Sequence, residues 1–464
     1  MKKSNIIVLI LFIILTLFIG SFHEAWTDEA QSWMIARDAS FSEILWDISR
    51  YEGTFPLWFY TLKICMTFGL QYENVYMVSI ALSVIGLLVF LFKVDAPKYV
   101  KVLLPFTYYV FFQYAIVARS YSYLLLAFSI WASLYKERKN KPIKYSLALL
   151  FISFISMHGM IISGALGLMF IIELIKGKNL KKTIPASLLL VLVWIFECIV
   201  LCPKMDLYMN VGLIHSFVSL AGSIIDTILI GRNIFEDIYL GIGVILFIVF
   251  LVQLFTLKKN DAVFSICALL AFMFLIRIAP HHLGTVVILM MFCIIINYDE
   301  LKAKFKHFDK LFIAFLVLYI SFSVITSYRD VRYNYTGAEE MATYIKENDI
   351  YGKEIYRFGY GPQAILPYFE GNLYANTPTV YEWKVTNKDF FDYINFDLKD
   401  IEKYKETPEY ILLEYNQWYE KDKAIVKLIE DSGLYKRELL TEGKMHYKCT
   451  YTDTEDYVLY KRIK

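Results

Sequence analysis

Long apolar runs, separated by short segments rich in lysine and arginine, recur through the first 328 residues of this 464-residue chain. Few folds tolerate that pattern. A run of about 20 apolar residues matches the hydrocarbon thickness of a bilayer, and only a helix or a closed barrel satisfies its own backbone there. Runs near 4–22, 74–92, 102–118, 120–135, 145–158, 160–175, 183–201, 238–257, 262–278, 283–298 and 311–328 therefore suggest about eleven transmembrane helices. Lys2-Lys3 ahead of the first run, with no clean small-x-small site at Ser21 to Ala25, reads as a retained first helix rather than a signal peptide.

Loop charge sets the expected orientation. With the N-terminus inside and the runs alternating, the inside segments carry twenty Lys and Arg residues and the short outside segments six, as the positive-inside rule requires. The same rule splits the uncharged stretch 145–172 into a hairpin, with Met157-His158-Gly159 at its outer tip. It also makes 56–72 an interfacial or re-entrant helix carrying Lys63. Formal charge is nearly balanced at +2, so nothing pulls the chain toward nucleic acid. Six scattered cysteines show neither zinc-site nor disulfide-framework spacing.

From about 329 the chain becomes charged and its hydrophobic segments shorten. A helix-like stretch (Thr336 to Glu347) precedes a strand-like one (Glu354 to Phe358). Tyr410 to Glu414, a helical Lys421 to Ile429 and Tyr457 to Tyr460 follow. This alternation predicts a small α/β domain over 329–464. The expected fold is an all-α polytopic membrane bundle (1–328) with a small C-terminal extracytoplasmic α/β domain.

The residue types that carry chemistry fall on one predicted face. Asp28, Glu29, Arg37, Asp38 and Glu52 lie in the first outer loop, 23–73. Arg119 and Tyr121 follow the third run, His158 sits at the hairpin tip, and Arg277, His281 and His282 occupy another outer turn. Ionisable groups at membrane depth are candidate functional groups. Each has a structural reading too. Asp28-Glu29-Ala30-Gln31 matches a helix cap with Gln at the third position. Arg119 can reach lipid headgroups, and Arg37-Asp38 can form a local ion pair. The adjacent His281-His282 pair lacks zinc spacing. Trp26, Trp33, Trp46 and Trp58 suit either sugar stacking or a membrane interface.

The run Trp26-Thr27-Asp28-Glu29-Ala30-Gln31-Ser32-Trp33-Met34-Ile35-Ala36-Arg37-Asp38, with Tyr51-Glu52-Gly53 and Pro56-Leu57-Trp58, resembles the first external loop of bacterial GT-C membrane glycosyltransferases. The resemblance is to the group related to protein O-mannosyltransferases and the lipid A aminoarabinose transferase (glycosyltransferase family 39-like). Ala118-Arg119-Ser120-Tyr121, His158-Gly159 and the His281-His282 turn look similar to that group as well, and the likeness covers roughly residues 1–330. It implies transfer of a sugar from a polyprenyl-phosphate donor on the outer side of the membrane, usually with inversion. Asp28 matches the catalytic carboxylate. Glu29, Arg119 and the His281-His282 region would surround the donor phosphate or the acceptor. One departure is Gly53-Thr54-Phe55-Pro56, where relatives often have Gly-His-Pro.

The expected partners are a polyprenyl-phosphate-sugar donor, an acceptor glycan, lipid or protein, and the bilayer, with no nucleic acid. A single phosphate leaving group needs less help than a nucleotide diphosphate, so no obligatory metal or other cofactor is expected. The expected catalytic pair is Asp28 and Glu29, with Arg119, Tyr121, Glu52, His158, Arg277, His281 and His282 binding substrate. The rival is a transporter or flippase of a lipid-linked sugar, which would need acids deep in spans, broken helices and repeat symmetry. Glu197 is the one acid well inside a predicted run, and no repeat is visible.

Overall fold

A computed structural model describes residues 2–177, 180–202, 234–275, 280–376, 408–416, 420–447 and 450–463. The chain is mostly helical. Among the described residues, five helices are long and apolar enough to cross a bilayer: Lys3–Gly20, Tyr72–Lys93, Met157–Lys176, Thr183–Leu201 and Phe308–Arg332. His282–Ile296 and Tyr298–Lys304 form a pair bent by 75°, and Pro142–Ser153, Gly241–Thr256 and Asn260–Met273 are shorter apolar helices. The first helix turns Ile6, Ile7, Ile10 and Ile14 outward, and the helix Leu180–Leu201 does the same with Leu188, Leu192, Ile195 and Ile199. Both present the surface a helix needs toward lipid.

The structure departs from the expectation of eleven uniform spans most clearly at 102–118 and 120–135. A helix Lys98–Leu103 ends ahead of Pro105. A short 3-10 turn follows, then a π-helical turn Tyr109–Gln113, an irregular stretch and another 3-10 turn Ser120–Tyr123. Only Leu124–Tyr135 is α-helical after that. Proline lacks the amide that would continue the ladder. The break is tolerated because residues 107 to 118 are all buried in protein; irregular backbone at membrane depth survives only under such cover. The hairpin also turns slightly early. Its break falls at 154–156, and His158 and Gly159 sit in the first turn of Met157–Lys176. A Cβ on Gly159 would stand 2.1 Å from the Ile152 carbonyl oxygen, so glycine permits the tight return.

Polar contacts sort the connecting segments into two ends. Lys136 pairs with Asp95 (2.6 Å) and Arg138 with Glu173 (2.8 Å). Tyr135 donates to Asp261 (2.5 Å), Lys259 pairs with Glu300 (2.5 Å), and Tyr99, Tyr298 and Lys302 converge on Asp309. These are the basic segments that charge counting places together. At the other end, contacts join residues 23–31, 52, 118–121, 158, 282 and 330 to one another, and Thr27 to Glu455 among the C-terminal residues.

The C-terminal residues build a sheet from β1 (Ile355–Phe358), β2 (Tyr410–Tyr415), β3 (Tyr435–Thr441) and β6 (Asp456–Arg462), in the order β1-β2-β6-β3. β1 and β2 are parallel and the other pairings antiparallel. β4 (Met445–Tyr447) and β5 (Thr450–Asp453) form a separate two-stranded ribbon. Side chains alternate between faces. Ile355, Tyr410, Leu412, Tyr457 and Leu459 point into the main core shared with the bundle, whereas Ile411, Leu413, Val458 and Tyr460 pack with Ile425 and Ile429 of the helix Glu420–Asp431. That first face packs on the helix Ala338–Glu347 and the 3-10 helix Gly361–Tyr368, and the latter in turn meets the helix Thr27–Asp38.

Candidate active site

The helix Thr27–Asp38 carries the adjacent acids, and both of its ends are tied down. Its capping differs from the one read from Asp28 to Gln31. The helix starts two residues earlier, capped at Trp26, and Glu29, at the third position, reaches back to accept from the Trp26 amide (3.2 Å). The Thr27 amide donates to Glu455, 428 residues away (3.2 Å), and the Tyr457 hydroxyl donates to the same carboxylate (3.3 Å). Burial pushes Glu455 up to about 8. At the far end Lys63 Nζ donates to the carbonyls of Ala36 (3.0 Å) and Ala39 (2.8 Å). An acid at the N-terminus and a cation at the C-terminus both complement the helix dipole. Arg37 chelates Asp38 (2.7 Å) and also donates to the Phe369 carbonyl (3.2 Å).

Neighbours on a helix point about 100° apart, and the two acids meet different surroundings. Glu29 has a side chain 0% exposed. Besides the Trp26 amide, it accepts from the Ala118 amide, which the broken stretch leaves free of a helical partner, and faces His23 Nε2 at 3.2 Å. His23 Nδ1 faces Asp330 at 3.2 Å. Burial works against a charge on His23, but Asp330 and Glu29 outweigh it and raise the imidazole to about 10. The result is a buried acid–imidazolium–acid triad linking the first loop to the end of the helix Phe308–Arg332. Beside it lies a cavity of about 420 Å³ lined in part by Glu24, Glu73 and Glu339. Burial, then the Glu339 charge, lifts Glu24 to about 8.

Asp28 faces the other way. Its side chain is 28% exposed and forms an ion pair with Arg119, which is 24% exposed. Glu52 lies behind them and accepts from Gln31 Nε2 (3.1 Å). Burial pushes Glu52 up to about 7, helped by Asp28 and opposed by Gln31 and Arg119. Gly53 next to it takes φ +58°, a left-handed turn in which a Cβ would also strike Met157. Tyr360 of the C-terminal residues is within electrostatic reach of Asp28, Glu52 and Arg119.

Tyr121 connects this pair to the histidines. It lies within electrostatic reach of Arg119 and Asp28. Its ring stacks on Tyr114 (5.2 Å between centroids), and its hydroxyl stands 3.4 Å from His158 Nδ1. His158 and His282 have ring centroids 4.6 Å apart. The structure thus brings Asp28, Arg119, Glu52, Tyr121, His158 and His282 to one region. Arg277 and the side chain of His281 lie outside the described residues. Among the described residues, no three His, Cys, Asp or Glu side chains gather as a metal ion requires. Sequence reasoning missed Glu455, Tyr360, His23 and Asp330. The first two are identifiable only through contacts hundreds of residues long, and the triad has no local spacing to betray it.

Comparison with known proteins finds no matching family model, curated protein or solved structure.

Proposed function

We propose that this chain is an integral-membrane glycosyltransferase. It moves a sugar from a polyprenyl-phosphate donor to an acceptor hydroxyl on the outer face of the membrane, with the end carrying Asp28 extracytoplasmic. The observation that supports this best is the partly exposed Asp28–Arg119 pair beside the half-buried Glu52. A partly exposed carboxylate and guanidinium side by side suit a reaction that needs a base and an anion-stabilising cation together. When donor phosphate arrives, Arg119 turns from Asp28 to the phosphate oxygens in charge-assisted hydrogen bonds. Asp28 is then free to take the proton of the acceptor hydroxyl as its oxygen attacks the anomeric carbon. The bond from that carbon to the phosphate oxygen breaks, and the lipid phosphate leaves with the electron pair, its charge stabilised by Arg119. Glu29, sealed among His23, Trp26 and Ala118, serves as a positioning residue.

A flippase of a lipid-linked sugar is the second reading, favoured by the broken stretch 104–123. Membranes containing wild-type protein, given radiolabelled polyprenyl-phosphate sugar, should form a new glycosylated product. Asp28→Asn should lower that rate by about 10²–10⁴, the usual contribution of a general base, with protein level unchanged. Label that crosses without any new bond identifies a flippase, and undiminished turnover in Asp28→Asn returns Asp28 to a structural role.

A further inference from the structure

At the end of the bundle remote from Asp28, a cavity of about 500 Å³ opens between the ends of Leu124–Tyr135, Met157–Lys176 and Ile234–Thr256. Five cations line it: Arg138, Lys139, Lys176, Lys258 and Lys259. Two carboxylates oppose them, and both are already engaged. Glu173 holds Arg138 through two bonds (2.8 and 3.0 Å) and Lys139 at 3.1 Å. Asp261 accepts from Tyr135 (2.5 Å) and from the Ala262 amide (2.9 Å). Arg138 is fixed further by stacking 4.0 Å from the Tyr135 ring centre. Lys176 and Lys258 make no ion pair among the described residues.

Lys258 adds an independent sign. Its φ is +55°, a backbone conformation that glycine takes freely and a lysine does not. The turn is closed by the Lys258 amide donating to Phe255 (2.9 Å) and the Lys259 amide to Leu254 (3.0 Å), the helix stop at which glycine is usual. A long cation is thus held at the rim in a strained position. Beside the polar lining, which includes Asn260, the helix Met157–Lys176 contributes an apolar strip of Leu166, Met169, Phe170 and Ile172. A cationic mouth over an apolar strip matches an amphipathic anion.

We propose that this cavity is a binding site for an anionic phospholipid, its phosphate headgroup on the cations and an acyl chain along Met169 and Ile172. Excess positive charge between helix ends is the recognised chemistry of lipid headgroup pockets. The site does not depend on the transferase reading. It is tested on purified protein in neutral detergent, with bound lipid counted by native mass spectrometry. The probes are dioleoylphosphatidylglycerol, dioleoylphosphatidylcholine and, as competitor, inorganic diphosphate.

Wild type should retain the glycerol lipid in preference to the choline lipid and keep it against millimolar diphosphate. Lys176→Gln/Lys258→Gln should bind the glycerol lipid about thirty-fold more weakly, the effect of removing two surface cations. Lys176→Arg/Lys258→Arg should bind as wild type, as should Lys98→Gln/Lys306→Gln, which removes two exposed lysines from other segments of the same end. Equal retention of both lipids overturns the proposal. So does equal loss in the two glutamine variants, which means diffuse attraction, and so does displacement by diphosphate, which means a soluble-anion site.

Discussion

The two ends of the helical body use charge in opposite ways. At the basic end, lysines meet acids in the open: the side chains of Lys136 and Asp95 are 63% and 79% exposed. At the acid end, His23, Glu29 and Asp330 are sealed from water. Exposed pairs are screened and contribute little. Buried ones are costly to assemble and costlier to break, because the survivor is left charged and alone. Charge near a membrane is thus informative in two distinct ways. One end carries it as a count that sorts loops, and the other as geometry in which each partner is specified.

The largest effect is expected from His23→Gln, which leaves Glu29 and Asp330 without their cation. It should destabilise the protein by about 3–5 kcal/mol, read by thermal unfolding in detergent. The folded imidazole lies above its ordinary value of 6.5, at about 10. Its contribution is therefore complete below pH 6.5 and lost as pH rises through 10, so the gap between variant and wild type should close across that window.

A smaller effect is expected from Glu455→Ala, which removes the acceptor for Thr27. The loss should be about 1 kcal/mol, that of a helix cap, with added amide exchange in the first turn of Thr27–Asp38. Smaller still in free energy is the pH response of Glu52. Raised to about 7, it gains charge as pH climbs through neutrality and competes for Arg119. The donor KM of wild type should rise several-fold from pH 6 to 8, and Glu52→Gln should flatten the profile. Lys136→Ala at the opposite end should shift stability by no more than about 0.5 kcal/mol. A large loss there would erase the contrast between the ends.

What was legible in the sequence follows the same division. The basic segments could be grouped because lysine placement is a local property summed over loops. The strands around Tyr410 and Tyr457 and the helix near Lys421 were visible from period and length. β3 was missed because it is an edge strand, with Lys436, Arg437 and Glu438 masking its alternation. The broken stretch after Pro105 read as a span because an apolar run looks the same whether it faces lipid or is enclosed by protein. Asp28, Arg119, Glu52, Tyr121, His158 and His282 could be named from residue type and predicted side. The different surroundings of Asp28 and Glu29 could not, since they depend on which neighbour each meets.

The bond from the Thr27 amide to Glu455 spans 428 residues of chain, and that has a consequence for biogenesis. During synthesis the first loop emerges early, yet its acid helix waits for Glu455, just ahead of β6, before it has its full set of partners. A nascent chain arrested anywhere in between displays Asp28 without the scaffold that orients it. The first turn of Thr27–Asp38 is therefore complete only when the last few residues of the described chain have been made and folded back onto it.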